Sequence, residues 1–481
     1  MAGIRYLFLI ANLLLIFGEI FPQEYRFLPD FRVNQDSPVG TYYHSTGFVN
    51  GHSIVQMGDY LLVAWYGNQE GGGDNYQVYI SRSTDQGMSF LPQMRVGNFA
   101  KAILPALTYD HFGNLYLAFT ARTLPGDTMH IFCARSSDTG RTFPQITRVD
   151  AIHGDTSYAP SNPAIACRRN GEVYIVWSDL LAPPNTGARV LFAKSSDSGR
   201  TFSRPLLLSL REPPLHSSLP TMAVDGLGNI HITWRDNRLS YPLTQYHIFY
   251  TKSTDGGNSF LPSILVDTIT FTSATFPCLA VNSTGQEIYV IYKARINGTH
   301  HIYLSKSNDF GNTFQELGRV DHPDTLPSDE PNLVLLPPNR LFFTWKHGFY
   351  QATDIYFRFS PDGGNNFSEI YRVNTQSSPG VNYGQIAVDE NLVVYCVWTD
   401  FRHSQSSSEI YFTKGIPEPG AIEEPVFLSF RSIAPGFPHP LRIWDVTGKV
   451  VPKGKKLQPG VYFLRINEKG KEKIKKVLLL R

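Results

Sequence analysis

The chain has 481 residues, few cysteines and no pattern typical of a zinc site. Its four cysteines fall in different predicted strands: Cys133, Cys167, Cys278 and Cys396. Cysteine of this kind is usually a small buried apolar residue, so we expect free thiols rather than disulfides. Nothing else in the sequence calls for a bound group. We therefore predict neither a metal site nor a cofactor.

A large excess of charge is also absent, because the formal net charge is +2. The charge is unevenly placed: residues 449–481 carry eleven Lys and Arg against two Glu, a local +9 that leaves −7 on residues 1–448. Neither a groove of aromatic residues nor a DNA-binding helix motif accompanies the basic tail. We interpret the tail as a solvated strand face and predict no nucleic-acid partner.

Long apolar runs are absent except near the N-terminus, where Arg5 precedes the run Tyr6–Phe17. That run is too short to cross a bilayer comfortably, but it fits the apolar region of a secretory signal peptide. We therefore predict a signal peptide over residues 1–22 and no transmembrane segment. The expected location is secreted or on the outer cell surface.

What the sequence does contain is one eight-residue pattern, Ser-x-Asp-x-Gly-x-x-Phe, in six copies. Its Asp can accept backbone hydrogen bonds that close a turn, and its Gly can adopt a positive φ. The Asp positions are 53 to 59 residues apart, a period that indicates a propeller or an array of one repeated unit. The copies are Ser83–Phe90, Ser136–Phe143, Ser195–Phe202, Ser253–Phe260, Ser307–Phe314 and Ser360–Phe367.

The full repeat contains four short strands, and its second strand ends on an aromatic residue that occurs seven times. Seven aromatics predict an all-β fold, a seven-bladed β-propeller of four-stranded antiparallel blades. The motif Arg32-Val33-Asn34 recurs at residues 372–374, so we predict that Phe31–Asn34 is the outer strand of the blade formed by residues 383–414. The aromatics are Trp65, Phe119, Trp177, Trp234, Tyr292, Trp345 and Trp398.

The eight-residue pattern resembles the Asp box, or BNR repeat, of the sialidase-like β-propellers, over residues 25–415. Sialidases usually have six blades, so a six-bladed ring is the alternative that the resemblance implies. Asp boxes occur in enzymes and in non-catalytic propellers alike. The resemblance therefore predicts the fold and leaves the activity open.

The C-terminal region is predicted to be separate from the propeller. Residues 416–425 are rich in Pro and Glu and are predicted to be a linker, and residues 426–481 a small β-sandwich. Three elements, Asp445-x-x-Gly448-Lys, Leu457-x-x-Gly460-Val-Tyr-Phe and the terminal Lys-Val-Leu-Leu-Leu-Arg, resemble the C-terminal sorting domains of type IX secretion. The resemblance implies that the secretion machinery is a partner and that the domain sorts or anchors the protein.

Loops between the second and third strands lie on the opposite face from the Asp boxes, and such loops are where we expect function. Two of these loops begin Trp-x-Asp-x-Arg, giving Asp236 with Arg238 and Asp400 with Arg402; a third supplies Asp179. Each Asp–Arg pair either binds a glycan or forms a salt bridge that fixes the root of its loop. Their repetition favours the structural interpretation.

Glu330 is a lone carboxylate before the innermost strand segment, at a position where other units have uncharged residues. The corresponding residue of the next unit is Tyr383, and the resemblance implies a Tyr–Glu pair like that of sialidases. Lys346 stands where the resemblance would place an Arg, and three arginines for a carboxylate cannot be assembled. We therefore do not predict a working sialidase. An alternative is that Glu330 pairs with Lys346 and ties two strands together.

The candidate residues and functions follow from these positions. The leading hypothesis is a secreted or surface propeller that binds a glycan or a protein on its loop face without catalysis, with a glycan or glycoprotein as the partner. The alternatives are a glycoside hydrolase and a structural surface protein. The catalytic candidates are Glu330, Tyr383, Asp236 and Asp400. The ligand-binding candidates are Arg238, Arg402, Asp179 and Lys346.

Overall fold

The structure is a computed structural model, and its described residues form a seven-bladed ring. The chain divides into two compact units, residues 25–417 and residues 1–24 with 418–481. The described residues are 22–47, 52–150, 159–180, 187–209, 215–240, 244–268, 270–349, 352–376, 378–419, 426–428, 442–445, 460–468 and 471–479. Most of the predicted signal peptide, residues 1–21, lies outside this set.

The first three blades consist of short strands that are joined by turns containing Gly, Asn or Asp. The strands that open the chain are β1 (Pro22–Phe27) and β2 (Phe31–Arg32). Blade 1 comprises β3 (His44–Ser45), β4 (Ile54–Met57), β5 (Tyr60–Gly67), β6 (Gln77–Ser83) and β7 (Met94–Arg95). Blade 2 comprises β8 (Lys101–Tyr109), β9 (Leu115–Arg122), β10 (His130–Ser136) and β11 (Gln145–Arg148). Blade 3 comprises β12 (Ala159–Cys167), β13 (Val173–Leu180), β14 (Ala188–Ser195) and β15 (Leu206–Leu207).

Blades 4 to 6 repeat the four-strand meander of blades 2 and 3, and blade 7 is completed by N-terminal strands. Blade 4 comprises β16 (Ser217–Val224), β17 (Ile230–Asp236), β18 (His247–Ser253) and β19 (Ile264–Leu265). Blade 5 comprises β20 (Ser273–Val281), β21 (Ile288–Ile296), β22 (Thr299–Ser307) and β23 (Gln315–Arg319). Blade 6 comprises β24 (Ser328–Leu336), β25 (Arg340–His347), β26 (Asp354–Ser360) and β27 (Tyr371–Arg372). Blade 7 comprises β28 (Val381–Val388), β29 (Val394–Asp400) and β30 (Glu409–Pro419), with β1 and β2 on its outer side.

Every blade is an antiparallel sheet, and the first strands of successive blades contact one another around the ring. The predicted seven-bladed, all-β fold is confirmed, the six-bladed alternative is excluded, and the described residues contain no helix. Accordingly, no helix within the described ranges is long and apolar enough to cross a membrane.

The ring closes where the N-terminal segment was predicted to pair. Phe31 pairs with Phe412 and Arg32 with Tyr411, so β2 lies beside β30. The Val33 amide donates to the Ile410 carbonyl at 2.7 Å, which extends the ladder. Using an early segment to complete the last blade leaves fewer exposed sheet edges, because both ends of the repeat are paired.

The core lies between neighbouring blades, where the apolar faces of two sheets meet. Between blades 1 and 2, for example, Leu62 and Val78 pack in one cluster with Leu117 and Phe119. All seven repeated aromatics are fully buried. Burying a large apolar side chain contributes roughly 1.5–3 kcal/mol, so these repeated positions stabilise each interface between blades.

A β-bulge interrupts the first strand of blades 2 to 7 at the same place. Two residues of the first strand there oppose one residue of the second strand, and that one residue is the buried aromatic. The first bulge residue has a φ of 50–57° in all six blades: Leu104, Asn162, Leu219, Phe276, Glu330 and Tyr383. A positive φ is costly for a residue with a side chain, and bulges re-aim side chains. The bulges are therefore a repeated feature of the innermost strands that redirects one side chain in each of these six blades.

The six eight-residue turns share four hydrogen bonds. The Asp Oδ1 accepts from the Ser hydroxyl at 2.7–3.1 Å and from the amide four residues later at 2.8–3.0 Å. The Gly amide donates to the Ser hydroxyl at 2.8–2.9 Å. The side chain four residues after the Asp donates to Oδ2 at 2.6–2.7 Å. Each Asp is thus saturated by its own turn.

Lysines connect these turns to the preceding blade. Lys194 of blade 3 donates to the Gly256 carbonyl at 2.9 Å, and Lys252 of blade 4 donates to the Phe310 carbonyl at 2.5 Å. Lys414 of blade 7 donates to Gln86 at 3.1 Å, so one such bond crosses the closure of the ring. The turns therefore hold neighbouring blades together as well as closing hairpins.

The C-terminal unit contributes four described strands, β31 (Val426–Leu428), β32 (Arg442–Asp445), β33 (Gly460–Glu468) and β34 (Lys471–Leu479). They form one sheet in the order β31-β34-β33-β32, in which β31 and β34 are parallel and the other pairs antiparallel. β30 ends at Pro419, inside the segment predicted as a linker. Gly448 and Leu457, which carry part of the sorting-domain resemblance, lie outside the described residues.

Candidate functional site

We define the loop face as the side that carries the loops between the second and third strands, and the turn face as the side with the eight-residue turns. On the loop face a cleft of about 280 Å³ opens between blades 6 and 7. We call it the inter-blade cleft. It is lined by Pro327, Asp329, Lys346, Gly348, Phe349, Thr353, Pro379, Gly380, Asn382, Phe401 and Gln405.

Aromatic rings and polar groups share the lining of this cleft. Phe349 is 62% exposed in the loop that follows β25, and Phe401 is half-buried directly after β29. Ligand sites combine aromatic rings with a few placed polar groups, and this cleft contains both.

Lys346 supplies the cationic group of the cleft. Its Nζ donates to Glu330 Oε1 at 2.9 Å and to Asn382 Oδ1 at 3.0 Å. An ammonium has three N–H donors, so one remains beyond these two contacts. Burial opposes its charge, but the Glu330 and Asp329 carboxylates outweigh that effect and raise the pKa of Lys346 above 10.5. Lys346 therefore stays charged at the lining of the cleft.

Asn382 and Asp329 offer further groups to the cleft. Because Asn382 Oδ1 accepts from Lys346, its amide nitrogen points the other way, and no described residue accepts a hydrogen bond from it. Asp329 Oδ1 forms an ion pair with Lys293 Nζ at 2.9 Å and accepts a hydrogen bond from the Glu330 amide at 2.8 Å. Its second oxygen has no donor among the described residues. The cleft thus presents two donors and one acceptor beside two aromatic rings.

Glu330 lies beneath the cleft, at the bulge of β24. It is 5% exposed, and its second oxygen accepts from the Tyr383 backbone amide at 2.6 Å. Burial raises the pKa of the Glu330 carboxyl above 4.5, although Lys346 acts in the opposite direction. The predicted alternative in which Glu330 pairs with Lys346 is therefore present in the structure, and the same carboxylate also joins the bulges of two blades.

Tyr383 lies at the corresponding bulge of blade 7, next to Glu330 as predicted from the repeat. The hydrogen bond between the two residues runs through the Tyr383 backbone. Burial raises the pKa of the Tyr383 hydroxyl far above 10.0, and the charges of Glu330, Tyr43 and Tyr66 act in the same direction. The hydroxyl is therefore neutral, and its role as a nucleophile stays a prediction.

Asp236 and Asp400 occupy equivalent positions and have equivalent partners. Each accepts hydrogen bonds from the indole two residues earlier, from the amide and guanidinium of the following Arg, and from a Ser hydroxyl, at 2.5–3.2 Å. Burial would raise the pKa of Asp236, but Arg238 and Ser217 hold it below 3.8. Both carboxylates are fully buried and fix the roots of their loops.

The two arginines differ in their second contacts. Arg402 also pairs with Asp30 at 2.8 Å, which connects blade 7 to the N-terminal segment. Burial opposes that charge, but the two carboxylates raise the pKa of Arg402 above 12.5. Arg238 instead donates to Ser263 at 3.0 Å. Both guanidinium groups lie over an aromatic ring, Phe249 for Arg238 and Tyr411 for Arg402. Neither residue lines the inter-blade cleft.

Asp179, the third candidate of this type, is also a loop-root carboxylate. It pairs with Arg189 at 2.9 Å across β13 and β14 and accepts from the Ala159 amide at 3.2 Å. Of the eight candidate residues, the structure brings Lys346, Glu330 and Tyr383 together at blades 6 and 7. Asp179, Asp236 and Arg238 lie in blades 3 and 4, and any catalytic or binding role for them stays a prediction.

One group of described residues has the ligand types of a metal site: Asp36, His44 and Glu409, whose donor atoms lie within 4.8 Å of one another. Its members already have protein partners. Glu409 accepts from the Gly40 amide at 2.7 Å and lies 3.3 Å from Arg32, and His44 lies 3.3 Å from Asp36. An arginine charge beside the carboxylate disfavours a cation, so we assign this group to the closure of the ring.

Sequence reasoning missed Asp329, Asn382 and the two phenylalanines of the cleft. Asp329 and Asn382 directly precede the bulge residues Glu330 and Tyr383, so the repeat could have identified them as equivalent positions. It also missed the seventh position of the eight-residue pattern, which is Ser, Thr or Asn in all six copies. That side chain supplies a hydrogen bond to the Asp in every turn.

The fold and site together define a seven-bladed propeller with a polar, aromatic cleft on its loop face. No protein-family model matches the chain, and no curated protein sequence matches it either. Solved structures do resemble it: a polysaccharide lyase of family PL25, an ulvan lyase, is 13% identical with a TM-score of 0.56, over 80% of this chain and 95% of that one.

Two further structures show the same level of similarity. The polysaccharide lyase Uly1 is 11% identical with a TM-score of 0.52, over 83% of this chain and 100% of that one. A protein of unknown function from Dyadobacter fermentans is 12% identical with a TM-score of 0.52, over 82% of this chain and 99% of that one. Identities this low support the fold and leave the reaction open.

Proposed function

We propose that this protein is an exported propeller that binds a glycan in the inter-blade cleft. The observation that carries the proposal is the lining of the cleft, which combines the rings of Phe349 and Phe401 with the polar side chains of Lys346, Asn382 and Asp329. Sugars present apolar C–H faces and hydroxyl groups, which such rings and polar groups complement. The resemblance to polysaccharide lyases supports the choice of ligand class.

Affinity electrophoresis tests this proposal with six polysaccharides cast separately in the gel: alginate, polygalacturonate, ulvan, chondroitin sulfate, xylan and laminarin. We expect at least one of them to retard the protein. The variants Phe349→Ala and Asn382→Ala should then lose most of that retardation, because they remove a ring and a hydrogen-bonding group from the cleft.

The matched control is Phe112→Ala, since Phe112 is 67% exposed on the turn face. It should leave the retardation unchanged. Binding that survives both cleft variants would place the glycan elsewhere, and retardation by none of the six polysaccharides would contradict the proposal.

A glycoside hydrolase is the second candidate, favoured by the buried acid below the cleft. Burial raises the pKa of Glu330, a change that suits a general acid, and the neutral Tyr383 hydroxyl lies in the neighbouring bulge. The ion pair with Lys346 favours a structural role instead. A fluorogenic glycoside panel separates the two: activity that is lost in Glu330→Gln while the thermal midpoint is retained supports catalysis.

Export and surface location are part of the proposal and rest on sequence. Their support is the apolar run Tyr6–Phe17 and the resemblance of residues 426–481 to sorting domains, with the secretion machinery as the implied partner. Deleting residues 422–481 should leave a folded propeller and change where the protein is found in its native host. Unchanged location after the deletion would remove the sorting role.

A further inference from the structure

A second group of aromatic residues continues from the cleft toward blade 1. The Phe401 ring, which lines the cleft, lies 6.2 Å from the ring of Tyr43. Tyr43 lies 6.0 Å from Tyr76 and 6.3 Å from Tyr66, and Tyr66 lies 5.6 Å from Tyr76. These four rings form a continuous band, which we call the aromatic band.

Polar groups accompany the aromatic band at its far end. The Lys101 ammonium lies 5.4 Å from the centre of the Tyr76 ring. Lys101 also pairs with Asp74, which in turn lies 3.2 Å from Arg122. The far end of the band therefore repeats the chemistry of the cleft, with an aromatic ring, a cation and a carboxylate in contact.

The loop of blade 1 holds the band in place. Asn68 Oδ1 accepts from the Tyr43 amide at 2.8 Å, the Asn68 amide donates to the Tyr43 carbonyl at 3.2 Å, and the Asn68 side chain donates to the Gly73 carbonyl at 3.0 Å. These bonds fix the backbone at Tyr43, so that part of the band loses little conformational freedom on binding.

We propose that the ligand is an internal stretch of a polysaccharide chain, which occupies the inter-blade cleft and continues over Phe401 and Tyr43 to Tyr76 and Lys101. This rests on the proposed glycan-binding function and specifies its substrate class. A single terminal sugar fits within the cleft and leaves the aromatic band unused. A chain uses both regions, because the half-buried tyrosines of the band combine an apolar ring with a hydroxyl group, which are the groups that complement a sugar.

Chain-length dependence tests the proposal with the wild-type protein. Fragments from dimer to octamer are prepared from whichever polysaccharide of the electrophoresis panel retards the protein, and their affinities are measured by calorimetry. We expect affinity to rise from dimer to hexamer and then to level off. The variant Tyr76→Ala should weaken hexamer binding about tenfold, the loss that removing a well-placed aromatic contact can cause, and leave dimer binding unchanged.

The matched control is Tyr109→Ala, which removes an exposed tyrosine from the turn face and should affect neither fragment. Dimer and hexamer affinities that are equal in the wild type would overturn the chain-length proposal. If Asn382→Ala still abolished binding in that case, the proposed glycan site would stand alone. Failure of every polysaccharide to retard the protein would remove both proposals.

Discussion

On the turn face the same four hydrogen bonds recur in six turns, whereas on the loop face repeated contacts involve fewer blades, such as the pairing of a His near the start of the third strand with an Asp after the fourth strand in blades 2, 4 and 5. The repeated turns satisfy each Asp locally and connect blades through lysines such as Lys194 and Lys252. The inter-blade cleft, by contrast, uses residues that occur once. Uniform contacts are suited to holding a ring together, and contacts that differ between blades are suited to recognising a ligand.

The largest expected effect tests whether the arginines of the loop face are structural. Arg402→Ala leaves the buried carboxylates Asp30 and Asp400 without their cation, so the free energy of unfolding should fall by about 3–5 kcal/mol. Urea denaturation measures this fall in the free energy of unfolding. Arg238→Ala is the matched control and should cost less, because Arg238 pairs with a single carboxylate. An equal or smaller loss at Arg402 would contradict its role in ring closure.

A single turn of the turn face should contribute less to the free energy of unfolding than Arg402 does. Asp138→Ala removes hydrogen bonds from Ser136, Arg141 and Thr142 and should lower the free energy of unfolding by about 1–2 kcal/mol, as for a lost capping residue. Glycan retardation should not change. The control Asp127→Ala lies in a loop of the same blade, where its contacts are longer, and should cost less. Loss of retardation in Asp138→Ala would assign function to the turn face.

Lowering the pH should gradually reduce the stability that the Asp carboxylates of the turn face provide. Hydrogen bonds from hydroxyl and amide groups outweigh slight burial and lower the pKa of Asp85, Asp138 and Asp309 from 3.8 to about 2. A lowered pKa in the folded state means that the stabilisation is complete above pH 3.8 and is lost as the pH falls toward 2. The thermal midpoint should therefore fall across that window, with a shallower slope in Asp138→Asn. An unchanged slope would contradict the assignment.

The smallest effects on stability are expected at the exposed phenylalanines. Phe349→Ala and Phe112→Ala should each change the free energy of unfolding by no more than about 0.5 kcal/mol, because neither side chain is packed in a core. Binding should distinguish them, since only Phe349 lines the inter-blade cleft. Equal glycan binding by the two variants would contradict the assignment of the binding site to the loop face.

The sequence predicted most of the fold, because the fold repeats. The spacing of the eight-residue pattern, the seven aromatics and the second copy of Arg-Val-Asn each depend on local chemistry that recurs in every unit. The placement of Glu330 beside Tyr383 also followed from their equivalent positions in neighbouring blades. The repeat marks Asp329 and Asn382 as equivalent positions, but it does not predict the contacts that form the cleft. Asn382 and Lys346 are 36 residues apart on different blades, and neither has a local pattern that marks the contact.

The pairing of β2 with β30 has a consequence for the order of events during synthesis. Asp30 and its partner Arg402 are separated by 372 residues, so the segment that seals the ring is made first and its partner last. Until blade 7 emerges, the early segment has no strand to pair with and must be kept from pairing elsewhere. Contacts of such long sequence separation slow folding. Pairing of β2 with β30 is therefore a late folding step, which requires that all seven blades have been synthesised.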